Sequence, residues 1–177
     1  SHLNYAIEQR NFTLVGIAAI QDALRPGVPA SVALCHSAFV KVIMITGDDE
    51  RIAEAIARNA GIINNHEDCL ALTGSDFISR IGGIVCKACT METDRCTCPK
   101  TLGQAREMYG DDKSEEYLES KLKKEKIHNL NEFKRIISKL KVIARARAID
   151  KYALVLGLRE LENVVAVTGD GTNDASA

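Results

Sequence analysis

Val42-Ile43-Met44-Ile45-Thr46-Gly47-Asp48-Asp49-Glu50 holds the transition that decides the fold. Four consecutive apolar side chains leave no solvent face, as in a strand buried on both sides of a parallel sheet. Thr46 and Gly47 break the run, and Asp49 is placed to cap a helix beginning near Glu50. In that helix Ile52, Ile56 and Ala60 recur four apart on one face, with Ala53 and Ala57 beside them. Gly61 then stands where a left-handed helix terminator belongs.

The same alternation extends in both directions. Phe12 to Ile20 is apolar on both faces and reads as a buried strand, after which Pro26 and Pro29 frame a turn and a helix start. Ser31 to Phe39 follows as a short helix, with Val32, Leu34 and Cys35 among its apolar positions. Downstream, Leu70 to Thr73 is a weaker strand and Ser75 to Ile78 opens another helix. From about Asn131 a helix turns Phe133, Ile136, Ile137 and Leu140 inward, and Val142 to Arg145 is a strand. Asp150 reads as the cap of a helix presenting Tyr152, Leu154, Val155 and Leu158, and Asn163 to Val167 forms a last strand. Uniformly apolar strands alternating with amphipathic helices predict an α/β fold: a Rossmann-like parallel sheet with helices on both faces.

Between Gly82 and about Ile127 that pattern fails. The stretch is charge-rich and contains Cys86, Cys89, Cys96 and Cys98 in the spacing Cys-x2-Cys-x6-Cys-x-Cys. It is expected to be an insertion, partly helical and partly mobile. The organisation this implies is a lead-in over 1–11, a first part of the domain over 12–81, the polar Cys-rich insertion over 82–127, and a second part over 128–177. Four thiolates suit tetrahedral zinc, which would order a polar segment. The second pair is tighter than in common zinc modules, so reduced free cysteines in a mobile loop are the competing reading. With no secretory signal visible, the thiols are expected to be reduced.

Bulk properties narrow the function. The 177 residues suffice for one buried core, and a net charge of −1 offers no basic field for nucleic acid. No stretch approaches the roughly 20 apolar residues that cross a bilayer, so the chain itself is expected to be soluble.

Ligands of open parallel sheets bind beyond the carboxyl ends of the strands. Four expected strand ends carry polar segments: Gln21-Asp22 through Arg25, Thr46-Gly47-Asp48, Arg145 through Lys151, and Thr168-Gly169-Asp170-Gly171. Parallel strands bring all four to one edge. Gly169 and Gly171 permit a tight turn and close approach of backbone N–H groups to an anion. Asp170 and Asp174 lie four apart where a helix opens, and Mg2+ takes one or two carboxylates plus phosphate oxygens and water. An ordinary turn rich in Gly, Asn and Asp is the plainer alternative. A dinucleotide fingerprint fits less well, because Asp174 stands where its third glycine belongs. Thr46 and Gly47 offer a hydroxyl and unhindered amides to phosphate oxygens, or else form a simple strand-to-helix turn. Lys151 is unusual near a helix start on dipole grounds and makes sense beside a phosphoryl group. Arg145 and Arg147 reach for phosphate or decorate the surface.

Ile20-Gln21-Asp22-Ala23-Leu24-Arg25-Pro26, then Met44-Ile45-Thr46-Gly47-Asp48, then Val167-Thr168-Gly169-Asp170-Gly171-Thr172-Asn173-Asp174-Ala175 resemble successive motifs of the P-type ATPases. Ile17 through Gly61 and Val142 through Ala177 look closest to plasma-membrane-type calcium pumps. The resemblance implies a phosphorylation domain with the haloacid dehalogenase-like fold. It implies that Asp170 ligates Mg2+, with Asn173 and Asp174 organising the loop and Asp174 near the metal. Thr46 and Gly47 would contact the transferred phosphoryl group, Asp48 would face nucleotide and hinge, and Lys151 would balance charge. Arg145, Asp22 and Arg25 match positions implicated in nucleotide contact. ATP is the implied substrate and Mg2+ the implied cofactor. The implied partners are the remaining domains of a pump, at the cytosolic face of a membrane reached only through that parent. Ala23 and Leu24 replace the two prolines of the family's hinge motif, and Ser176 stands where proline is usual. No Asp-Lys-Thr-Gly-Thr occurs in the 177 residues, so the chain alone is expected to be inactive. A soluble phosphatase of the same superfamily and an inactive binding module are the alternatives. The phosphatase would need an Asp-x-Asp strand that the sequence lacks.

Overall fold

The computed structural model describes residues 13, 15–18, 23–64 and 68–169. In chain order its elements are α1 (Val28–Ser37), β1 (Met44–Ile45), α2 (Glu50–Asn59), β2 (Leu70–Thr73), α3 (Gly74–Ile81) and β3 (Ile84–Cys86). They continue with α4 (Leu102–Tyr109), α5 (Glu115–Ser120), β4 (Glu125–Ile127), α6 (Leu130–Lys139), β5 (Leu140–Ala144) and α7 (Ala148–Glu160).

β5 lies at the centre of a parallel sheet of order β1-β5-β2, with Met44 opposite Val142 and Leu72 opposite Ile143. Its side chains explain the uniformly apolar sequence. Val142 and Ala144 join a cluster with Val32 of α1 and with Ala53 and Ala57 of α2. Ile143 joins a second cluster with Phe77 of α3, Phe133 and Ile136 of α6, and Ala153 and Leu154 of α7. Each face of the sheet is therefore covered by helices, the layering expected for a parallel α/β domain.

The helix ends follow their sequence signals. Asp49 accepts from the Arg51 N–H at 3.1 Å and starts α2, and Gly61 has φ +78° just beyond its end. Thr73 accepts from the Asp76 N–H at 3.1 Å and starts α3. Helix α1 begins three residues earlier than the pattern predicts, with proline in its first turn, and ends before the exposed Phe39. Along α2 and its C-cap the buried stripe is Ala53, Ala57 and Ala60, while Ile52 is 55% exposed. The close approach of α2 to β5 selects the small residues, so the expected stripe is rotated. Asp150 is not the N-cap of α7 but its third residue, reaching back to the Arg147 N–H at 2.8 Å. Leu140 opens β5 rather than closing α6.

Two expected strands are not seen among the described residues. Thr13 and Val15–Ala18, the described part of the first one, have no strand pairing, and Val15 and Ile17 are almost fully exposed. Residues 163–167 are likewise unpaired, with Val164 fully exposed. The physical reason is common to both: an apolar run becomes a buried strand only beside a hydrogen-bonding neighbour. Among the described residues β1 and β2 pair with β5 alone.

The insertion is built differently. β3 and β4 pair antiparallel, Ile84 opposite Ile127 and Cys86 opposite Glu125, and α4 and α5 lie between them. Ile127 packs into the same cluster as Phe77 and Phe133, so β4 belongs both to the insertion and to the core.

Candidate functional site

Because β1, β5 and β2 are parallel, their carboxyl ends share one edge. The loops leaving β1 and β5 are laced together there. The Thr46 N–H donates to the Ile143 carbonyl at 2.9 Å, the Arg145 N–H to the Asp48 carbonyl at 2.9 Å, and the Ala146 N–H to the Thr46 carbonyl at 2.8 Å. To make these bonds Arg145 adopts φ +48°, a left-handed conformation unusual for a residue with a side chain.

Thr46 forms a closed local motif. Its hydroxyl donates to the Asp48 carboxylate at 2.9 Å and accepts from the Asp48 N–H at 3.1 Å. A phosphoryl oxygen arriving here would compete with that carboxylate for the hydroxyl proton. The Arg145 guanidinium pairs with Asp49, and with the Arg51 N–H it holds the Asp49 carboxyl below the usual range. Arg147 lies exposed beside β5 with its guanidinium on Asp150, and that pairing raises the already high basicity of Arg147. Lys151 is half-buried in the first turn of α7.

Thr46, Gly47, Asp48, Arg145 and Lys151 therefore come from two adjacent strands and the helix that follows one of them. Arg25 is exposed in the turn before α1, its carbonyl accepting from the Val28 N–H. Asp22, Asp170, Asn173 and Asp174 lie outside the described residues. The residues present suit the groups expected here. Cations and backbone amides match phosphoryl oxygens, and the Asp48 carboxylate and Thr46 hydroxyl are oxygen donors of the kind a hard Mg2+ ion takes.

The end of β2 belongs to the same edge, although the sequence reading places no site residue there. Its sequence signal is Thr73-Gly74, which follows an apolar run just as Thr46-Gly47 and Thr168-Gly169 do. Gly74 packs directly on Asp150, where a Cβ would lie 2.2 Å from the Asp150 carboxylate. Asp150 itself is fully buried. This contact ties α3 to the N-terminus of α7, the turn that carries Lys151.

A second group of reactive side chains lies in the insertion. Cys86 is buried, whereas Cys89, Cys96 and Cys98 are half-buried. Burial pushes the Cys86 thiol up, but the N–H groups of Cys89 and Ala88 and the neighbouring sulfurs outweigh it and bring it to about 6. Cys98 is pushed up to about 12, first by burial and then by the sulfurs of Cys89, Cys96 and Cys86. The four sulfurs thus bear on one another's charge.

No helix among the described residues is long and apolar enough to cross a membrane. Residues 3–115 match the model of the haloacid dehalogenase-like hydrolases. The chain is 37% identical over 172 residues to calcium-transporting ATPase 10, plasma membrane-type, of Oryza sativa subsp. japonica, an alignment covering 97% of this chain and 12% of the relative. It is 36% identical over 173 residues to calcium-transporting ATPase 2, plasma membrane-type, of Arabidopsis thaliana, with 97% of this chain and 12% of the relative covered. Against the plasma membrane calcium-transporting ATPase mca-1 of Caenorhabditis elegans the identity is 34% over 173 residues, covering 95% of this chain and 11% of that one. The chain therefore spans about an eighth of the length of these relatives.

Proposed function

The chain belongs to the haloacid dehalogenase-like hydrolases, and from that premise we propose that it is part of the phosphorylation domain of an ATP-driven calcium pump. The observation that carries the reading is the laced edge of β1 and β5. Thr46, Gly47 and Arg145 stand at the strand ends, and Lys151 in the first turn of the helix after β5, at the edge where parallel sheets take phosphorylated ligands. The similarity to plasma-membrane-type calcium-transporting ATPases, which runs over nearly the whole chain, supplies the substrate class.

In this reading the edge receives the phosphoryl group that passes from ATP to an aspartate of the pump. Thr46 turns its hydroxyl from Asp48 to a phosphoryl oxygen, and the Gly47 amide, unhindered by a side chain, binds another. Lys151 places its ammonium where negative charge accumulates, a contribution that grows as water is excluded. Asp48, Arg145, Asp22 and Arg25 orient the nucleotide. Asp170, supported by Asn173 and Asp174, would hold Mg2+, which when bound neutralises charge on the phosphoryl oxygens. The rest of the pump supplies the phosphorylated aspartate, the remaining cytosolic domains and the membrane spans. The chain by itself then binds nucleotide without turning it over.

The test is phosphoenzyme formation by the full-length protein carrying these residues, with labelled ATP and calcium. Asp170→Ala and Lys151→Ala should each lower the phosphorylated fraction about 100-fold or more, while Lys134→Ala on the exposed face of α6 leaves it unchanged. Normal phosphorylation after Asp170→Ala, or none in the unaltered protein, would overturn the reading.

A further inference from the structure

The proposed reaction leaves residues 86–98 without a role. Within that stretch the sulfurs of Cys86, Cys89, Cys96 and Cys98 all lie within 4.8 Å of one another. None is bonded to another. We propose that these four cysteines bind one zinc ion as a structural tetrathiolate site, and that this site fastens the insertion to helix α7.

Zinc–sulfur bonds of 2.3 Å in a tetrahedron place the sulfurs about 3.8 Å apart. Cys89 and Cys96 stand at 3.5 Å, and the 4.8 Å limit on the other pairs requires movements of no more than ~1 Å. The backbone is shaped to deliver them. The Cys86 N–H donates to the Met91 carbonyl at 2.8 Å, and the Thr90 N–H returns to the Cys86 carbonyl at 2.8 Å. Thr90 takes φ +60° to close this knuckle, which puts Cys86 and Cys89 side by side. A second turn, Arg95 N–H to the Glu92 carbonyl at 3.0 Å, brings Cys96 and Cys98 back to the first pair. The Cys98 N–H then points at the Cys96 sulfur from 3.4 Å, a donor that stabilises a thiolate.

Four sulfurs fill a tetrahedron and leave no position for substrate, which makes the site structural rather than catalytic. A zinc ion with four thiolates carries two surplus negative charges. Lys123 donates its ammonium to the Thr93 carbonyl inside the ligand loop at 2.6 Å, and Lys87 lies between the first two ligands. Those cations offset part of the surplus.

The fastening runs through β4. The Lys87 N–H donates to the Lys124 carbonyl at 2.6 Å and the Lys123 N–H to the Pro99 carbonyl at 2.7 Å, which hold the ligand loop on the approach to β4. From β4, Glu125 accepts the Tyr152 hydroxyl, and the Ile127 N–H donates to the Glu160 carboxylate at 3.2 Å. The strand is thus pinned near both ends of α7. The metal site stands whether or not the pump reading does, since it depends only on the four cysteines and their loops.

The full chain, produced without chelator, should contain one zinc per molecule by elemental analysis. Cys89→Ser and Cys96→Ser should lose it, whereas Cys35→Ser and Cys69→Ser keep it. Because a ligand variant could fail to fold, the unaltered protein supplies a second readout. With zinc bound, two thiols should react quickly with a thiol reagent and four should react at least ~10-fold more slowly, the protection vanishing on chelation. Cobalt exchanged for zinc should show the intense absorption of tetrahedral thiolate coordination. Hydrogen exchange over residues 148–153 should accelerate when the metal is withdrawn. Absence of metal, stoichiometric iron in place of zinc, or six thiols reacting alike with zinc present would overturn the site. Unchanged exchange in α7 would overturn the fastening.

Discussion

The parallel sheet and the cysteine hairpin are ordered by opposite means. β5 lies between two apolar clusters, with four of its five residues buried. Each buried Val, Leu or Ile there contributes about 1.5–3 kcal/mol from leaving water. The hairpin has little of this. Of residues 84–127, the buried hydrophobic set is Val85, Cys86, Ala105, Leu118 and Ile127. Its shape comes instead from turns, backbone hydrogen bonds and four adjacent sulfurs. A segment so poor in apolar burial needs another source of order, and a metal is the source its side chains can supply. The two regimes meet at β4, whose Ile127 is core and whose Glu125 belongs to the polar link.

If that contrast is right, overpacking the core should damage the sheet and leave the metal site intact. The largest such effect is expected at Gly157 in α7. A Cβ there would lie 2.5 Å from the ring of Phe133, which is fully buried and packed against Phe77 at a centroid distance of 6.1 Å. Alanine gains about 1 kcal/mol of helix propensity, but overpacking costs about 1–3 kcal/mol, and a contact this deep lies at the upper end. Gly157→Ala should therefore lower stability by about 2 kcal/mol, measured by urea unfolding, with the bound zinc content unchanged. Loss of zinc in that variant would show that the two regions unfold as one.

The same contrast explains what was legible in the sequence. Periodicity located α2, α3, α6 and β5, because each buries a stripe or a whole run against a neighbour that the fold provides. It failed at 15–18 and 163–167, where the run is equally apolar but no strand among the described residues lies alongside. Composition records that a residue can be buried, not what will cover it. At the edge, Thr46-Gly47-Asp48, Arg145 and Lys151 were readable from strand ends alone. Asp49 with Arg145, and Gly74 with Asp150, were not, since each pairs residues more than seventy positions apart in sequence. The hairpin was readable only as a cysteine spacing. β3 and β4 are three residues each and lie about forty apart, too short for an alternating pattern to declare itself.

A smaller effect should mark the contact that joins α3 to α7. Asp150 is fully buried, caps α7 through the Arg147 N–H, and receives the Arg147 guanidinium at 3.2 Å. Asp150→Ala removes that cap and should cost about 1 kcal/mol. Gly74→Ala should cost somewhat more on its own, about 1.5 kcal/mol, because its Cβ would meet the Asp150 carboxylate at 2.2 Å. Combined with Asp150→Ala, the damage at Gly74 should shrink, since the clashing oxygens are gone while the Ala146 Cα remains at 3.2 Å. A double-mutant cycle with no coupling would show that the two residues do not touch.

The smallest effect expected is confined to alkaline pH and probes the link between the two regions. Tyr152 donates to Glu125 and is partly buried, and the hydrogen bond first, then burial, raises its hydroxyl from the ordinary 10 to about 12. The protonated form is thus favoured in the folded chain. Its contribution is whole below about pH 10, and it is lost as the pH climbs through about 12. An absorbance titration of the chain's four tyrosines should show a late phase that disappears in Tyr152→Phe. In the unaltered protein, exchange in the first turn of α7 should rise over the same alkaline interval. In Tyr152→Phe it should already be raised at neutral pH and should no longer change there. Four tyrosines titrating together in the unaltered protein would mean that β4 is held to α7 by Ile127 and Glu160 alone.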